Sequence, residues 1–135
     1  MNPFVEISEP VPNIVVYKFT SVEVTEKMVD DYLETMGKQI SEVSEPIVLV
    51  SDVSESQVLS SKHRIKIANF IKSHSDVLKR NVIALVYVMP SPILQFVLNA
   101  IYVVNRPPIK YKVVSRFEHA INWSKEKLEK SRVLD

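Results

Sequence analysis

With 135 residues, 46% apolar and 24% charged, the chain is sized for one domain spanning 1–135 and lies far from the disordered range. The absence of cysteine excludes disulfides, thiolate zinc sites, iron–sulfur clusters and cysteine nucleophiles, and a lone glycine, Gly37, leaves no glycine-rich loop to cradle a nucleotide phosphate. Net charge is only +1, yet residues 1–60 carry 3 basic and 11 acidic side chains and residues 61–135 carry 14 and 5. Such a division can steer association with anionic partners or set up complementary contacts between subunits, unless the fold interleaves the two halves.

The N-terminus, Met1-Asn2-Pro3-Phe4, has neither the basic start nor the apolar run of a secretory signal, so a cytoplasmic protein is expected. Phe4-Val5-Glu6-Ile7 and Ile14-Val15-Val16-Tyr17-Lys18-Phe19 read as two strands, joined through Pro10-Val11-Pro12-Asn13 as a hairpin. Thr25 suits the N-cap of a first helix, with Glu26 in its first turn. Val29, Tyr32, Leu33, Met36, Ile40 and Val43 follow at helical spacing on the buried face.

Ile47-Val48-Leu49-Val50 is apolar without alternation, as in a central strand covered on both faces. A serine-rich connection leads to Ser60-Ser61, which can cap a second helix with Ile67, Ala68, Ile71 and Leu78 inward and Lys62, Arg64, Lys66, Lys72 and Lys79 making it basic. Val82 to Val88 is the next buried strand.

Ser91 and Pro92 open a third helix running to about Asn105. The stretch from Val82 to Val104 is uncharged throughout and broken in its middle by Met89-Pro90-Ser91-Pro92, which leaves two pieces too short to span a membrane. Ile109 to Val114 alternates like an edge strand. Ser115-Arg116-Phe117-Glu118 has the form of a capping box, opening a last helix with Phe117, Ala120, Ile121 and Leu128 inward. The order ββαβαβαβα predicts an α/β domain with a mainly parallel sheet, an antiparallel edge and helices packed on it.

This order, together with Ile47-Val48-Leu49-Val50-Ser51-Asp52 and its serine-containing loop, Lys79-Arg80 before the strand at Val82, and Ser115-x-x-Glu118-x-Ala120-x-x-Trp123, resembles the stage II sporulation protein AA-like family. The resemblance implies the STAS fold of anti-sigma-factor antagonists and sulfate-transporter tails. In those antagonists a serine following the third strand is phosphorylated within an aspartate-serine-serine-glycine type motif. Here Asp52-Val53-Ser54-Glu55-Ser56 and Ser60-Ser61 lie nearby without reproducing it. The family's likeness to CRAL-TRIO domains implies, in turn, a lipid-like ligand.

Two regions are candidate sites. Ligands of open parallel sheets collect beyond strand C-termini, where Asp52, Ser54, Ser56, Ser60, Ser61, Lys62, His63 and Arg64 concentrate; free amides at a helix start with these cations can hold a phosphate. A capped, solvated loop suits the same letters. The second is the third helix, whose Ile93, Leu94, Phe96, Val97, Leu98, Ile101, Val103 and Val104 surround a narrow polar stripe of Gln95, Asn99 and Tyr102, with Ile93, Leu94, Phe96, Val97, Ile101 and Val104 the candidate contact residues. If only one side meets the sheet, the other is an exposed patch of the kind that marks an interface.

His63, His74 and His119 share no ligand spacing, so no metal is expected, and no cofactor. No serine has a motif-supported base, so no enzyme is expected. The leading expectation is a non-catalytic regulatory or protein-interaction module that self-associates through the third helix, as a homodimer or with a protein partner. The alternative is a carrier or sensor of an apolar or lipid-like ligand. No nucleic-acid reading module is present.

Overall fold

The computed structural model describes residues 3–20, 22–56, 59–104 and 106–134, without the side chains of Val104, Val133 and Leu134. Its elements in chain order are β1 (Val5–Val11), β2 (Ile14–Phe19), α1 (Glu26–Ser41), β3 (Ile47–Asp52), α2 (Ser61–Ser73), α3 (Ser75–Asn81), β4 (Val82–Val88), α4 (Pro92–Val104), β5 (Tyr111–Val114) and α5 (Phe117–Leu134). The strands form one sheet in the order β1-β2-β3-β4-β5, the first pair antiparallel and the others parallel.

Because the order advances one strand at a time in one direction, right-handed crossovers put every intervening helix on the same face. Val15, Tyr17, Leu49 and Leu85 of the sheet accordingly pack with Val29, Tyr32, Met36 and Ile40 of α1 and Leu78 of α3. The opposite face, Val16, Val48, Val50, Val86 and Val88, is left to α5, which lays Ala120 and Leu128 on it. Residues of β3 and β4 are buried on both faces, which is why these strands read as unbroken apolar runs.

The hairpin turn is tighter than expected. β1 continues through Pro10 and Val11, its register slipping between Ser8 and Val11, and the chain reverses at Asn13, whose φ of 70° an asparagine tolerates. Thr25 caps α1 by accepting from Met28 N at 3.2 Å, and Asn81 Nδ2 donates to the Ile40 carbonyl near the other end at 2.7 Å.

Three expectations need correction. The second helix is two, broken at His74, where Phe70 O accepts both the His74 amide at 3.0 Å and the Ser73 hydroxyl at 3.0 Å. Leu78 is buried, Ile67, Phe70 and Ile71 are half-buried and Ala68 is exposed. Ser115 is not the cap of the last helix: the Arg116 carbonyl accepts the first helical bond, from Ala120 N, and the Ser115 hydroxyl accepts from Gln95 Nε2 at 3.1 Å. Phe117 consequently points away from the core and is 40% exposed, while Ser124, buried and donating to the Ala120 carbonyl at 2.7 Å, joins the inner stripe.

Gly37, in the body of α1, has no positive φ, and a Cβ there would meet Phe70 and His74 at 3.6 Å and 3.8 Å, ordinary contact distances. Gly37→Ala is therefore expected to stabilise the protein by up to about 1 kcal/mol through helix propensity, measured as a higher urea midpoint with an unchanged slope.

Candidate functional site

Successive residues of an α-helix advance by about 100°. Around α4 this places Val103, Phe96, Ala100, Ile93, Val97 and Ile101 on one apolar arc, and Leu94, Leu98, Tyr102, Gln95 and Asn99 on the other. The structure turns the second arc toward the protein. Ile93, Phe96 and Val103 are 75%, 74% and 79% exposed, Val97 and Ile101 are exposed, and Leu94, Leu98 and Tyr102 are half-buried. The helix thus shows solvent its most apolar side.

Hydrogen bonds explain the orientation. Gln95 Nε2 donates to the Met89 carbonyl at 2.6 Å and to Ser115 Oγ at 3.1 Å. The Tyr87 and Tyr102 hydroxyls are 2.6 Å apart, and the Tyr111 hydroxyl donates to Asn99 Oδ1 at 3.1 Å. The Tyr102 and Tyr111 rings meet edge to face with centroids 4.7 Å apart. Ser91 caps the start, accepting from Leu94 N at 3.3 Å. The polar stripe of the sequence is the glue of α4.

Of the expected interface residues, Ile93, Phe96, Val97 and Ile101 lie on the exposed arc, and Leu94 is turned partly inward. The side chain of Val104 and the whole of Asn105 lie outside the described residues. Sequence reasoning had Val103 among the apolar residues around the polar stripe but did not single it out, and it passed over Ala100. The spacing Ile93, Phe96, Ala100, Val103, alternating steps of three and four, would have found both.

Between the β1–β2 end of the sheet and α1 the interior is aromatic. Phe4, Phe19, Tyr17 and Tyr32 pack with centroid distances between 5.1 and 6.0 Å. Burial pushes the Tyr17 phenol up to about 12 and raises those of Tyr32 and Tyr87 strongly. The buried Tyr17 hydroxyl has no hydrogen-bond partner among the described residues. Where α4 leaves the sheet, Tyr102, Val103, Arg106, Pro107, Ile109 and Tyr111 line an open concavity of about 440 Å³.

The loop after β3 is internally occupied. Asp52, buried, accepts from Ser54 N at 3.0 Å and from the Ser54 hydroxyl at 2.6 Å. Ser60 caps α2 through His63 N at 3.4 Å, and Ser61 Oγ accepts from Arg64 at 3.1 Å. Lys62 reaches Glu26 of α1 at 3.2 Å, where Lys66 also binds at 3.1 Å; these two cations hold the Glu26 carboxyl below its usual range. The geometry joins Asp52 with Ser54, Ser60 with His63 and Ser61 with Arg64, but takes Lys62 away to α1. Ser56 donates its amide to the Val53 carbonyl at 3.1 Å; Gln57 and Val58 are outside the described residues. The acidic first helix and the basic second one therefore satisfy part of the charge division within the chain.

No family model matches the chain, and none of the curated proteins does. Among solved structures, an uncharacterised DUF3478-family protein from Shewanella loihica PV-4, described as having a SpoIIAA-like fold, superposes with a TM-score of 0.68 over 89% of this chain and 91% of its own, at 12% identity. The fold is SpoIIAA-like. In this SpoIIAA-like sheet, β3, β4 and β5 are parallel, so the loop after Asp52, the start of α4 and the start of α5 share one end. Val53 N bonds the Val88 carbonyl at 3.1 Å and Met89 N the Val114 carbonyl at 2.8 Å, tying the three together. Among the described residues no helix is long and apolar enough to cross a membrane, and no group of side chains is placed to hold a metal ion.

Proposed function

We propose that this chain is a non-catalytic interaction module that self-associates through the exposed face of α4. The observation that carries the reading is the inversion of that helix: Ile93, Phe96 and Val103 stand at least 74% exposed on a helix without one charged residue. A two-fold contact lays a surface against itself and sets like charges together. An uncharged apolar strip escapes that penalty and gains from burial, about 25 cal/mol per Å² of apolar surface removed from water.

A helix of 13 residues is roughly 20 Å long and by itself covers less than the roughly 800 Å² per partner of a standard stable interface. The association is therefore weak and reversible, which suits regulation. Sedimentation velocity over a wide concentration range is expected to show the wild type passing from monomer to dimer, and Phe96→Glu to stay monomeric with unchanged folding stability, since an exposed substitution costs within about 0.5 kcal/mol. A wild type that is monomeric at every concentration overturns the proposal.

A second reading, a carrier of an apolar acid, draws on the aromatic concavity below α4 and on Arg106 at its edge. Native mass spectrometry separates the two: a ligand-free dimer favours the interaction module, and a monomer with added mass favours the carrier.

A further inference from the structure

The cations of the chain divide into two populations. Lys18, Lys27, Lys38, Lys62 and Lys66 each have a carboxylate within 3.7 Å, in Glu55, Asp31, Glu34, Glu26 or Asp30. Lys110, Lys112, Lys127 and Lys130 make no ion pair among the described residues. Other cations without an ion pair among the described residues, such as Lys72, Lys79 and Arg80, lie on α2 and α3, but these four come together beside β5 and α5.

Tyr111 turns toward Tyr102 of α4, so by strand alternation its neighbours Lys110 and Lys112 face the side covered by α5. Lys110 is held at the start of the edge strand by its carbonyl, which accepts from Leu85 N at 3.0 Å. On α5, with Ala120, Ser124 and Leu128 inward, Trp123, Lys127 and Lys130 form a flank at spacings of four and three. Lys127 Nζ lies 5.2 Å from the centroid of the Trp123 ring, which fixes its stem. The proximity of Lys110, with some desolvation and the charge of Lys130, depresses the Lys127 ammonium below its ordinary value; Glu126 offsets this only in part. Like charges are crowded here, and the chain supplies too little counter-charge.

We propose that Lys110, Lys127 and Lys130, beside Trp123 at the β5 edge, form a binding site for a multiply charged phosphoryl group. A dianion with several oxygens matches several converging ammonium groups, each acting as a point charge, better than one carboxylate does. The site lies on the opposite face of the sheet from α4 and does not depend on the pairing of that helix.

Two probes distinguish a soluble phosphate from a lipid headgroup. Pyrophosphate is titrated into the protein by calorimetry, and flotation is measured with phosphatidylcholine vesicles with and without phosphatidic acid. Saturable pyrophosphate binding that weakens at least about tenfold in Lys110→Gln/Lys127→Gln, but not in the control Lys72→Gln, supports the site with a soluble ligand. Flotation that requires phosphatidic acid and is lost in the same double variant, but not in the control, supports it with a headgroup. In either case bound phosphate raises the Lys127 titration followed by NMR of its side chain, which a purely structural lysine would not show. Binding of neither probe, or binding equal in wild type and double variant, overturns the proposal.

Discussion

Phe4→Ala is expected to lower the unfolding free energy by about 3–5 kcal/mol, the usual cost of emptying a large aromatic site in a core. Phe4 is only 1% exposed, and its ring lies 5.1 Å from that of Phe19 and 6.0 Å from that of Tyr32. Its backbone is pinned as well, the carbonyl accepting from Thr20 N at 3.0 Å, so the chain start cannot easily collapse into the void. Strand β1 pairs only with β2, and α1 reaches Phe4 through Tyr32, so the ring joins edge strand to first helix. Trp123, the single tryptophan, belongs to the other face of the sheet and reports unfolding at a distance. Urea melts followed by its fluorescence and by far-UV circular dichroism are expected to shift together. A loss below about 1 kcal/mol would mean that the start of the chain is not part of the cooperative core.

The sequence is most readable where one physical demand acts alone. β3 and β4 must be covered on both sides, and Ile47 to Val50 and Val82 to Val88 could be nothing but buried strands at that length. Thr25 announced α1 because its side chain meets a single local demand, accepting from Met28 N in the first turn. Reading failed where two demands compete. The helix expected to run unbroken from Ser61 is interrupted at His74, whose ring stacks on Phe70 at 3.9 Å and whose Nδ1 lies 2.9 Å from the Phe70 carbonyl, a local contact with no signature in apolar spacing. Ser115 offered a cap, but Gln95 reached its hydroxyl first, and Phe117 lost its inward position with it.

The α4 helix is the instructive case. Both of its arcs contain large apolar residues, so periodicity cannot say which one meets the sheet. The decision falls to Gln95, Asn99 and Tyr102, whose partners Met89, Ser115, Tyr111 and Tyr87 lie 6 to 20 residues away and were invisible as partners until the sheet was assembled. In the loop after β3, likewise, the letters named the right polar residues, but not that Asp52, Ser54 and Ser60 would close upon their own backbone.

Because a few polar bonds and the ring contacts of Tyr102 with Tyr87 and Tyr111 hold α4, Tyr102→Ala is expected to release this helix before the rest of the domain. The substitution removes the 2.6 Å bond to the Tyr87 hydroxyl and the edge-to-face contact with Tyr111, leaving a half-buried Tyr87 phenol without that partner. Lost packing together with a stranded hydroxyl costs about 2–4 kcal/mol. Within a unit able to open separately, that becomes a fall of roughly thirty- to a thousandfold in hydrogen-exchange protection across α4, with the amides of β2, β3 and β4 largely unaffected. Tyr102→Phe, which keeps the ring, is expected to lose about 1–2 kcal/mol of the same local protection. The measurement belongs in a Phe96→Glu background, so that pairing of α4 with a second copy does not mask its opening. Equal loss of protection in α4 and in the sheet would show that the helix opens only with the whole domain, and that its inverted face is carried by a rigid element, not by a loosely tethered one.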